Sequence, residues 1–258
     1  MDIQYPDEFI DRLHVVWGQG FLSPGGPEEV REIVRGLDLE GKALLDIGCG
    51  TGGPASVLAK ETGALVTGLD VEPQLLERAR RTAEAAGVAD RMSFILAEPG
   101  PLPFEAARFD VVFSKDALIH IPDKRALYGE ILRVLKPGGI FAASDWLAGA
   151  AAMDDPAFRR YVDLGHLKFT MATAEETAAI MRESGFAEVA TRDRNAWFKE
   201  VSAREAAAIA GPLREQIIAV SDVQIYERWR DGRKALAEAT AQGSLRPTHL
   251  RATRPLAA

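Results

Sequence analysis

The chain has 258 residues, 47% of them hydrophobic and 27% charged, which is typical of one sizeable soluble α/β domain. Its formal charge of −7 disfavours general binding to nucleic acid or to an anionic membrane surface, because like charges repel. The single cysteine excludes an intrachain disulfide framework and favours a reducing compartment. The acidic N-terminus does not resemble a signal peptide, and no apolar run approaches the ~20 residues that span a bilayer. We therefore expect a cytoplasmic protein. The sequence leaves its oligomeric state open, and a monomer is compatible with it.

Strand and helix patterns alternate along most of the chain. DEFIDRLHVVW places apolar residues on one helix face and is followed by a loop rich in glycine and proline. Buried strands are predicted at KALLDIG, ALVTGLDV, MSFILAE, RFDVVFSK and GIFAASDW, with amphipathic helices between them. The helix DKRALYGEILRV is predicted to stop at LKPGG. Strands separated by single helices form βαβ units and wind a parallel sheet.

The regular alternation weakens after Trp146. Thr173 and Glu176 form a capping box that predicts the start of a helix. FAEVATRDR is predicted to be a strand, SAREAAAIAGPLREQI to be helical, and LRPTHLRATRP to be a basic tail. We expect one domain over residues 1–258 with four parts: an N-terminal lid (1–26), a cofactor-binding core (27–147), an inserted lid segment (148–170) and a C-terminal part of sheet and helices (171–258).

The segment LLDIGCGTGG joins the first predicted strand to the next helix. Glycines at such a turn let the backbone approach a ligand closely, although dinucleotide oxidoreductases use a similar turn. Two details favour another ligand. Asp46 precedes the glycines, and its carboxylate would repel a pyrophosphate but suit a cationic group. Gly48, Gly50 and Gly53 match the GxGxxG spacing of dinucleotide-binding turns, but Gly52 is an additional glycine that this pattern does not contain.

Acidic residues also end the next two predicted strands. Asp70 lies about twenty residues after the glycine turn, where a carboxylate accepts hydrogen bonds from a ribose diol. Glu98 follows the third strand, where it is placed to meet an adenine amino group. Taken singly, each glycine is compatible with an ordinary tight turn and Asp70 with a helix cap. Their occurrence in this order favours a nucleoside-containing cofactor.

Together with the helix RVLKPGG, these motifs resemble the class I methyltransferase signature over roughly residues 28–147. The resemblance implies a Rossmann-like, doubly wound, seven-stranded α/β sheet that binds S-adenosyl-L-methionine. It implies that Asp46, Gly48 and Gly50 hold the methionine end, that Asp70 binds the ribose hydroxyls and that Glu98 lies near the adenine. The predicted cofactor site also includes Phe21, Leu22, Ser23, Val71, Ser114 and Lys115.

A narrower resemblance lies in QYPDEFIDRLHVVWGQGFLSPGG and in FSKDALIHI, which are similar to phosphoethanolamine N-methyltransferases. The resemblance implies that Tyr5 and His120 form a catalytic pair. An amine attacks a sulfonium methyl only when its lone pair is free, and histidine titrates near neutrality and can accept the proton. Tyr5 can instead anchor the N-terminus and His120 can cap a turn. Two roles are open to Asp116: holding an ammonium group or capping the following turn.

The sequence departs from that family where a substrate phosphate would be held. Trp146 stands in place of a tyrosine, and Leu167 and Phe169 stand where arginine and tyrosine are expected. Fewer donors would remain for a buried phosphate, which costs several kcal/mol. Lys168, Arg160 and the pair Arg233–Lys234 can compensate, or can be ordinary surface charges. The predicted substrate-binding residues are Asp116, Trp146, Leu167, Lys168 and Phe169, with Trp197 as a further wall of a more apolar pocket.

We therefore expect methyl transfer to the nitrogen of a small amine, phosphobase-like or more apolar. An oxygen methyltransferase acting on a natural-product scaffold is the main alternative, with the same histidine deprotonating a hydroxyl. A nicotinamide-dependent oxidoreductase is disfavoured by Asp46, and a non-catalytic cofactor-binding protein by the intact motif. The expected partner is a small molecule. No metal site is expected, because the histidines are scattered and the one cysteine lies in the glycine turn.

Overall fold

The computed structural model describes residues 4–164 and 169–256. Seven strands form one sheet: β1 Ala43–Ile47, β2 Leu65–Asp70, β3 Met92–Leu96, β4 Phe109–Lys115, β5 Leu135–Ala148, β6 Ala187–Asp193 and β7 Leu245–Thr253. Their order in the sheet is β3-β2-β1-β4-β5-β7-β6. The first five strands pair in parallel, whereas β7 lies antiparallel to both of its neighbours. Because β1 lies between β2 and β4, the direction of winding reverses there, at the position where ligands bind such sheets.

Helices cover both faces of the sheet. They are α1 Asp7–Trp17, α2 Gly26–Ile33, α3 Gly53–Thr62, α4 Pro73–Ala86, α5 Lys124–Val134, α6 Pro156–Leu164, α7 Ala174–Glu183, α8 Asn195–Ala210, α9 Arg214–Ala219 and α10 Val223–Gln242. Short 3₁₀ turns occupy Ala89–Arg91, Leu118–His120 and Ala152–Asp154. The predicted helix at α1 and the capping box that begins α7 are confirmed.

Two hydrophobic clusters pack on opposite faces of the sheet. Leu44 and Leu45, adjacent in β1, are both fully buried, but Leu44 packs with α2 and α3 whereas Leu45 packs with α5. A strand buried on both faces produces a continuous apolar run in sequence, which is what the segment ALLDI shows. The predicted doubly wound α/β fold is therefore confirmed.

In the second half of the chain one predicted strand begins earlier than expected, and the predicted tail was wrong. The predicted helix stop at LKPGG is confirmed, since α5 ends at Val134. The strand that follows is longer than predicted, because β5 already begins at Leu135 and pairs with β4 through an irregularity between Phe109 and Val111. The segment predicted as a basic tail forms β7, which inserts between β5 and β6. Its polar residues have partners across the molecule: His249 binds Glu29, as described below. In sequence alone, a strand whose basic residues bind distant acids and backbone carbonyls resembles a charged tail.

Of the helices in the described ranges, none combines the length and apolar character that crossing a bilayer requires.

Candidate active site

The glycine-rich loop after β1 lies at the carboxyl edge of the sheet and leads into α3. Gly48, Gly50 and Gly52 have φ values of +71°, +53° and +80°, in the left-handed region that glycine adopts without strain. A Cβ atom at Gly48 would collide with Ala117, and one at Gly50 would lie 2.9 Å from Cδ1 of Leu22. The loop therefore requires glycine for its backbone conformation and for close packing.

The carboxylate of Asp70 fastens this loop to the end of β2. Its Oδ2 accepts a hydrogen bond from the Gly50 amide at 2.9 Å, and its Oδ1 accepts from the amides of Val71 and Glu72 at 2.8 and 3.1 Å. Burial raises the pKa of Asp70, although the three amide hydrogen bonds oppose that rise. Asp70 thus lies between the glycine loop and α4, and its contact with a ribose stays a prediction.

Asp46 is a buried carboxylate beneath the glycine loop, and its side chain is 1% exposed. Burial raises its pKa to about 8; the charge of Asp70 adds to the effect and that of Lys115 opposes it. Oδ2 of Asp46 has no hydrogen-bond partner among the described residues. A buried oxygen without a donor is costly, so a cationic or donor group of a ligand would be stabilised here. This donor set fits the methionine ammonium of the predicted cofactor.

Lys115, the last residue of β4, holds the loop between α1 and α2 against the sheet edge. Its Nζ donates to Ser23 Oγ at 2.6 Å, to the Pro24 carbonyl at 2.8 Å and to Asp116 Oδ2 at 2.8 Å. Asp116 has a φ of +58°, which is strained for a residue with a side chain, and its Oδ1 accepts from Ser144 Oγ at 2.8 Å. The fold therefore fixes this carboxylate at the edge where β4 ends.

The other predicted cofactor residues surround the same edge in different environments. Phe21 is buried against α3, and the Ser114 hydroxyl donates to the Ile47 carbonyl at 2.7 Å. Val71 is 42% exposed, and Glu98 lies exposed after β3. Their contacts with a cofactor stay predictions.

The N-terminal segment docks onto the residues that follow Asp70. The amide of Gln4 donates to Glu72 Oε1 at 2.8 Å, and Nε2 of Gln74 donates to the Tyr5 carbonyl at 3.2 Å. Arg78 of α4 pairs with two aspartates of α1, each at 2.7 Å. These contacts place Tyr5 over the carboxyl edge of the sheet.

Tyr5 and His120 meet at this edge. The Tyr5 hydroxyl lies 3.4 Å from Nε2 of His120, a long hydrogen bond, and the two rings are perpendicular. Burial, assisted by the charge of Asp70, raises the pKa of the Tyr5 phenol, so its hydroxyl keeps its proton. The ring of His120 also packs at 5.6 Å, between ring centres, against Phe169. The structure therefore brings the predicted catalytic pair together.

A second buried carboxylate supports the 3₁₀ turn that carries His120. Oδ1 of Asp145, near the end of β5, accepts from the Ile119 amide at 3.0 Å. Burial raises the pKa of Asp145 to about 7, with Lys124 opposing that rise and Asp116 adding to it. No sequence motif marks Asp145, because its partner is the backbone amide of Ile119.

Tyr5 and His120 line a cavity of about 120 Å³ between the N-terminal segment, α6 and α10. Its walls are mainly aromatic, with a few charged groups. They include Tyr5, Phe9, Trp17, Leu22, Asp116, His120, Trp146, Tyr161, Phe169, Arg228, Trp229 and Arg233. The predicted substrate residues Asp116, Trp146 and Phe169 thus share one cavity, whereas Leu167 and Lys168 lie outside the described residues.

Several lining residues escaped the sequence analysis. Tyr161 of α6 stacks on Phe169 with 5.8 Å between ring centres, and burial raises its pKa to about 12. Arg233, considered only as a possible compensating charge, is buried in the wall. Helical periodicity marks the buried face of α10 but does not show which site that face meets. The position expected for Trp197 was wrong: it lies outside the cavity lining, beside Arg194, in a separate open groove between α2 and α8.

Within residues 4–164 and 169–256, no group of three or more His, Cys, Asp or Glu side chains is arranged to hold a metal ion.

Comparisons with known proteins agree with this geometry. A methyltransferase domain family model matches residues 38–192. The chain is 31% identical over 227 residues to phosphoethanolamine N-methyltransferase 3 of Arabidopsis thaliana, covering 88% of this chain and 45% of that protein. It is 38% identical over 151 residues to the sterol 24-C-methyltransferase erg6 of Aspergillus fumigatus, covering 57% of this chain and 40% of that protein. The chain thus spans less than half the length of these two relatives.

A solved structure is similar over nearly the whole chain. It is phosphoethanolamine N-methyltransferase 2 of Haemonchus contortus, in complex with phosphomonomethylethanolamine and S-adenosylhomocysteine. The TM-score is 0.89 at 28% sequence identity, and the match covers 98% of this chain and 59% of that one. The chain belongs to the methyltransferase domain family, and the predicted fold class, enzyme class and S-adenosylmethionine cofactor are confirmed at the level of that family.

Proposed function

We propose that this chain transfers a methyl group from S-adenosylmethionine to the nitrogen of a small amine bound in the cavity between His120 and Arg233. The observation that carries the proposal is the contact of Tyr5 with His120 in the wall of that cavity. The similar proteins from Arabidopsis thaliana and Haemonchus contortus are named N-methyltransferases, which supports nitrogen as the acceptor atom.

The size of the cavity supports a small acceptor. Pockets for drug-sized ligands have volumes of roughly 300–1,000 Å³. The cavity here is about 120 Å³, which suits a small acceptor. The aromatic walls suit an alkylammonium, which is attracted to ring faces.

The chain's own residues would perform three tasks. Asp46 would hold the cationic end of the cofactor, and Asp70 its ribose hydroxyls. When bound, S-adenosylmethionine supplies an electrophilic methyl group on a positively charged sulfur. His120, in its neutral form, would accept the proton that an acceptor ammonium must lose before its lone pair is free.

Tyr5 would organise that proton transfer. A hydroxyl both donates and accepts, so Tyr5 can stabilise either tautomer of the His120 ring through Nε2. Because the Tyr5 segment also covers the cavity, its docking would exclude water from the reacting groups. Much of the rate gain would come from holding the donor and acceptor in line.

The test is methyl transfer from labelled S-adenosylmethionine to a panel of amines, amino acids, phosphobases and phenols, with wild-type protein and His120→Ala. Transfer to an amine that is lost in the variant supports the proposal. Transfer to phenols alone would replace nitrogen by oxygen as the acceptor atom. If the protein binds the cofactor but methylates none of these acceptors, the proposal is wrong and the protein is a cofactor-binding protein.

Composition supports a cytoplasmic enzyme with small-molecule partners and no nucleic-acid partner, and these statements are part of the proposal. The single cysteine, Cys49, is buried and free, which suits a reducing compartment. Sedimentation of the purified chain would establish whether it is a monomer.

A further inference from the structure

A buried ion pair forms one end of the acceptor cavity. Arg233 of α10 lines the cavity, and its Nη2 lies 2.6 Å from Oε2 of Glu205 in α8. The two residues are 7% and 9% exposed. The guanidinium also lies 5.2 Å from the ring centre of Trp17, in cation–π geometry. Arg233 is therefore not a free cation that waits for an anionic ligand.

Glu205 lies behind Arg233 rather than in the cavity lining. Its second oxygen, Oε1, accepts a hydrogen bond of 2.7 Å from Nε1 of Trp17, which lines the cavity. On its other side Glu205 faces the open groove between α2 and α8. One carboxylate thus fixes two residues of the cavity wall and neutralises the charge of one of them.

A second buried pair at the cavity also consists of one cation and one anion in contact. The Lys115 and Asp116 side chains are 2% and 7% exposed and lie 2.8 Å apart. Both charge pairs are neutral as units, and the remaining cation of the described cavity lining, Arg228, is exposed and donates from Nε to the Leu164 carbonyl at 3.2 Å. An acceptor with an acidic group therefore adds net negative charge to the buried part of this wall, and in a low-dielectric site a second negative charge costs far more than the first.

We propose that Glu205 determines the charge of the acceptor: by neutralising Arg233, it makes the cavity select amines that carry a single negative charge, such as a carboxylate, over phosphorylated amines. This inference rests on the proposed amine methyl transfer. The donors of Arg233 not used by Glu205 suit a carboxylate, whose planar pair of oxygens matches a guanidinium. A phosphate monoester carries up to two charges and would lie against the Glu205 carboxylate with only one cation between them.

Three acceptors separate charge from shape; each has two carbons after the amine, and phosphoethanolamine has an additional ester oxygen before the acidic group. They are β-alanine, 2-aminoethanesulfonate and phosphoethanolamine, compared by kcat/KM at pH 8. The sulfonate has the tetrahedral shape of the phosphate but one charge, so the proposal expects it to behave like β-alanine. In wild type both should exceed phosphoethanolamine. In Glu205→Gln the ratio of phosphoethanolamine to β-alanine should rise about tenfold or more, because like-charge repulsion is removed.

Glu200→Gln is the matched control, since Glu200 lies exposed on the same helix; it should leave the ratio unchanged. An unchanged ratio in Glu205→Gln, or a wild-type preference for phosphoethanolamine, would overturn the proposal. Should Glu205→Gln fail to fold, calorimetric binding of the three compounds to wild type with S-adenosylhomocysteine gives the same ranking without the variant. Binding in that ranking without any methylation would refute the proposed function and leave the charge preference standing.

Discussion

The hydroxyl of Tyr5 lies 3.4 Å from Nε2 of His120, although 115 positions separate them in the sequence. Two independent sets of contacts produce this meeting. Hydrogen bonds from Gln4 and Gln74 hold the N-terminal segment, while the Asp145 carboxylate holds the turn that carries His120. A pair supported from both sides, in the wall of a cavity, is suited to directing proton transfer.

His120→Ala should reduce kcat by about 10²–10⁴-fold, the usual contribution of a general base, without weakening cofactor binding. Tyr5→Phe should reduce kcat less, by about tenfold, because it removes only the group that orients the ring. Steady-state kinetics on the acceptor found in the panel would measure both effects, and calorimetry with S-adenosylhomocysteine provides the control. Unchanged turnover in His120→Ala would remove this residue from the mechanism.

Gly48→Ala should abolish cofactor binding, whereas Gly87→Ala should not. The two glycines have the same φ of +71°, so both substitutions incur the cost of a left-handed alanine, about 1 kcal/mol. Only at Gly48 would the new methyl group collide, with Ala117; at Gly87 it meets nothing within 4 Å. Thermal unfolding and cofactor titration of both variants would separate strain from collision.

A double variant tests the collision directly. Gly48→Ala combined with Ala117→Gly removes the opposing methyl group, so part of the cofactor affinity should return. No recovery in the double variant would show that backbone strain, rather than the contact with Ala117, explains the loss.

The cofactor edge of the fold was predictable because its information is local. The glycines and Asp46 and Asp70 lie within 25 residues at strand ends, and parallel strands bring their carboxyl ends together. The acceptor wall was less predictable. Tyr161 and Arg233 lie on α6 and α10, and their placement depends on how those helices pack after the regular βαβ pattern has ended.

The seventh strand shows the same limit. In LRPTHLRAT the positive charges suggest a solvated tail when no acid is nearby in sequence. In the fold, Arg246 pairs with Asp193 and His249 with Glu29, which is 220 positions away. Because these acidic partners are distant in the sequence, the residues around β7 do not indicate that its charges are paired.

The stability of the cofactor-free protein should depend on Asp46. Its pKa is about 8 in the folded state and 3.8 when unperturbed, so the folded state keeps a proton that the unfolded chain releases. The free energy of unfolding should therefore fall as the pH rises from about 4 towards 8. Asn cannot ionise, so Asp46→Asn avoids this loss of stability. The variant should be more stable than wild type at pH 8 by on the order of 1–3 kcal/mol.

Urea unfolding of both proteins at pH 5, 6, 7 and 8 would measure the divergence. If the difference in unfolding free energy between the two proteins is the same at all four pH values, Asp46 is ionised in the cofactor-free fold. Asp46→Asn should also bind S-adenosylmethionine at least about tenfold more weakly, because a buried anion no longer faces the ammonium group. If Asp46→Asn is more stable but binds S-adenosylmethionine more weakly, Asp46 contributes to cofactor binding at a cost in the stability of the cofactor-free protein.

Glu29 should contribute to stability in the opposite pH range. It is 3% exposed, and its carboxylate lies 2.6 Å from Nη2 of Arg194 and 2.6 Å from Nε2 of His249, which joins α2 to β7 and to the start of α8. Although burial opposes it, hydrogen bonds from His249 and Arg194 lower the pKa of Glu29 to about 2. Its contribution is therefore fully present above its ordinary pKa of 4.5 and is lost as the pH falls from 4.5 towards 2.

Glu29→Gln should lower the free energy of unfolding at pH 7 by about 3–5 kcal/mol, because it leaves Arg194 without its buried counter-ion. Glu61→Gln is the matched control: it also breaks an arginine–glutamate pair, with Arg31, but there the two side chains are 37% and 53% exposed and little change is expected. As the pH falls from 4.5 towards 2 the wild type and Glu29→Gln should converge, since the unfolded chain then binds a proton at Glu29 that the folded state does not. A constant difference down to pH 2 would mean that packing at this position, rather than charge, stabilises the junction of α2 with β7.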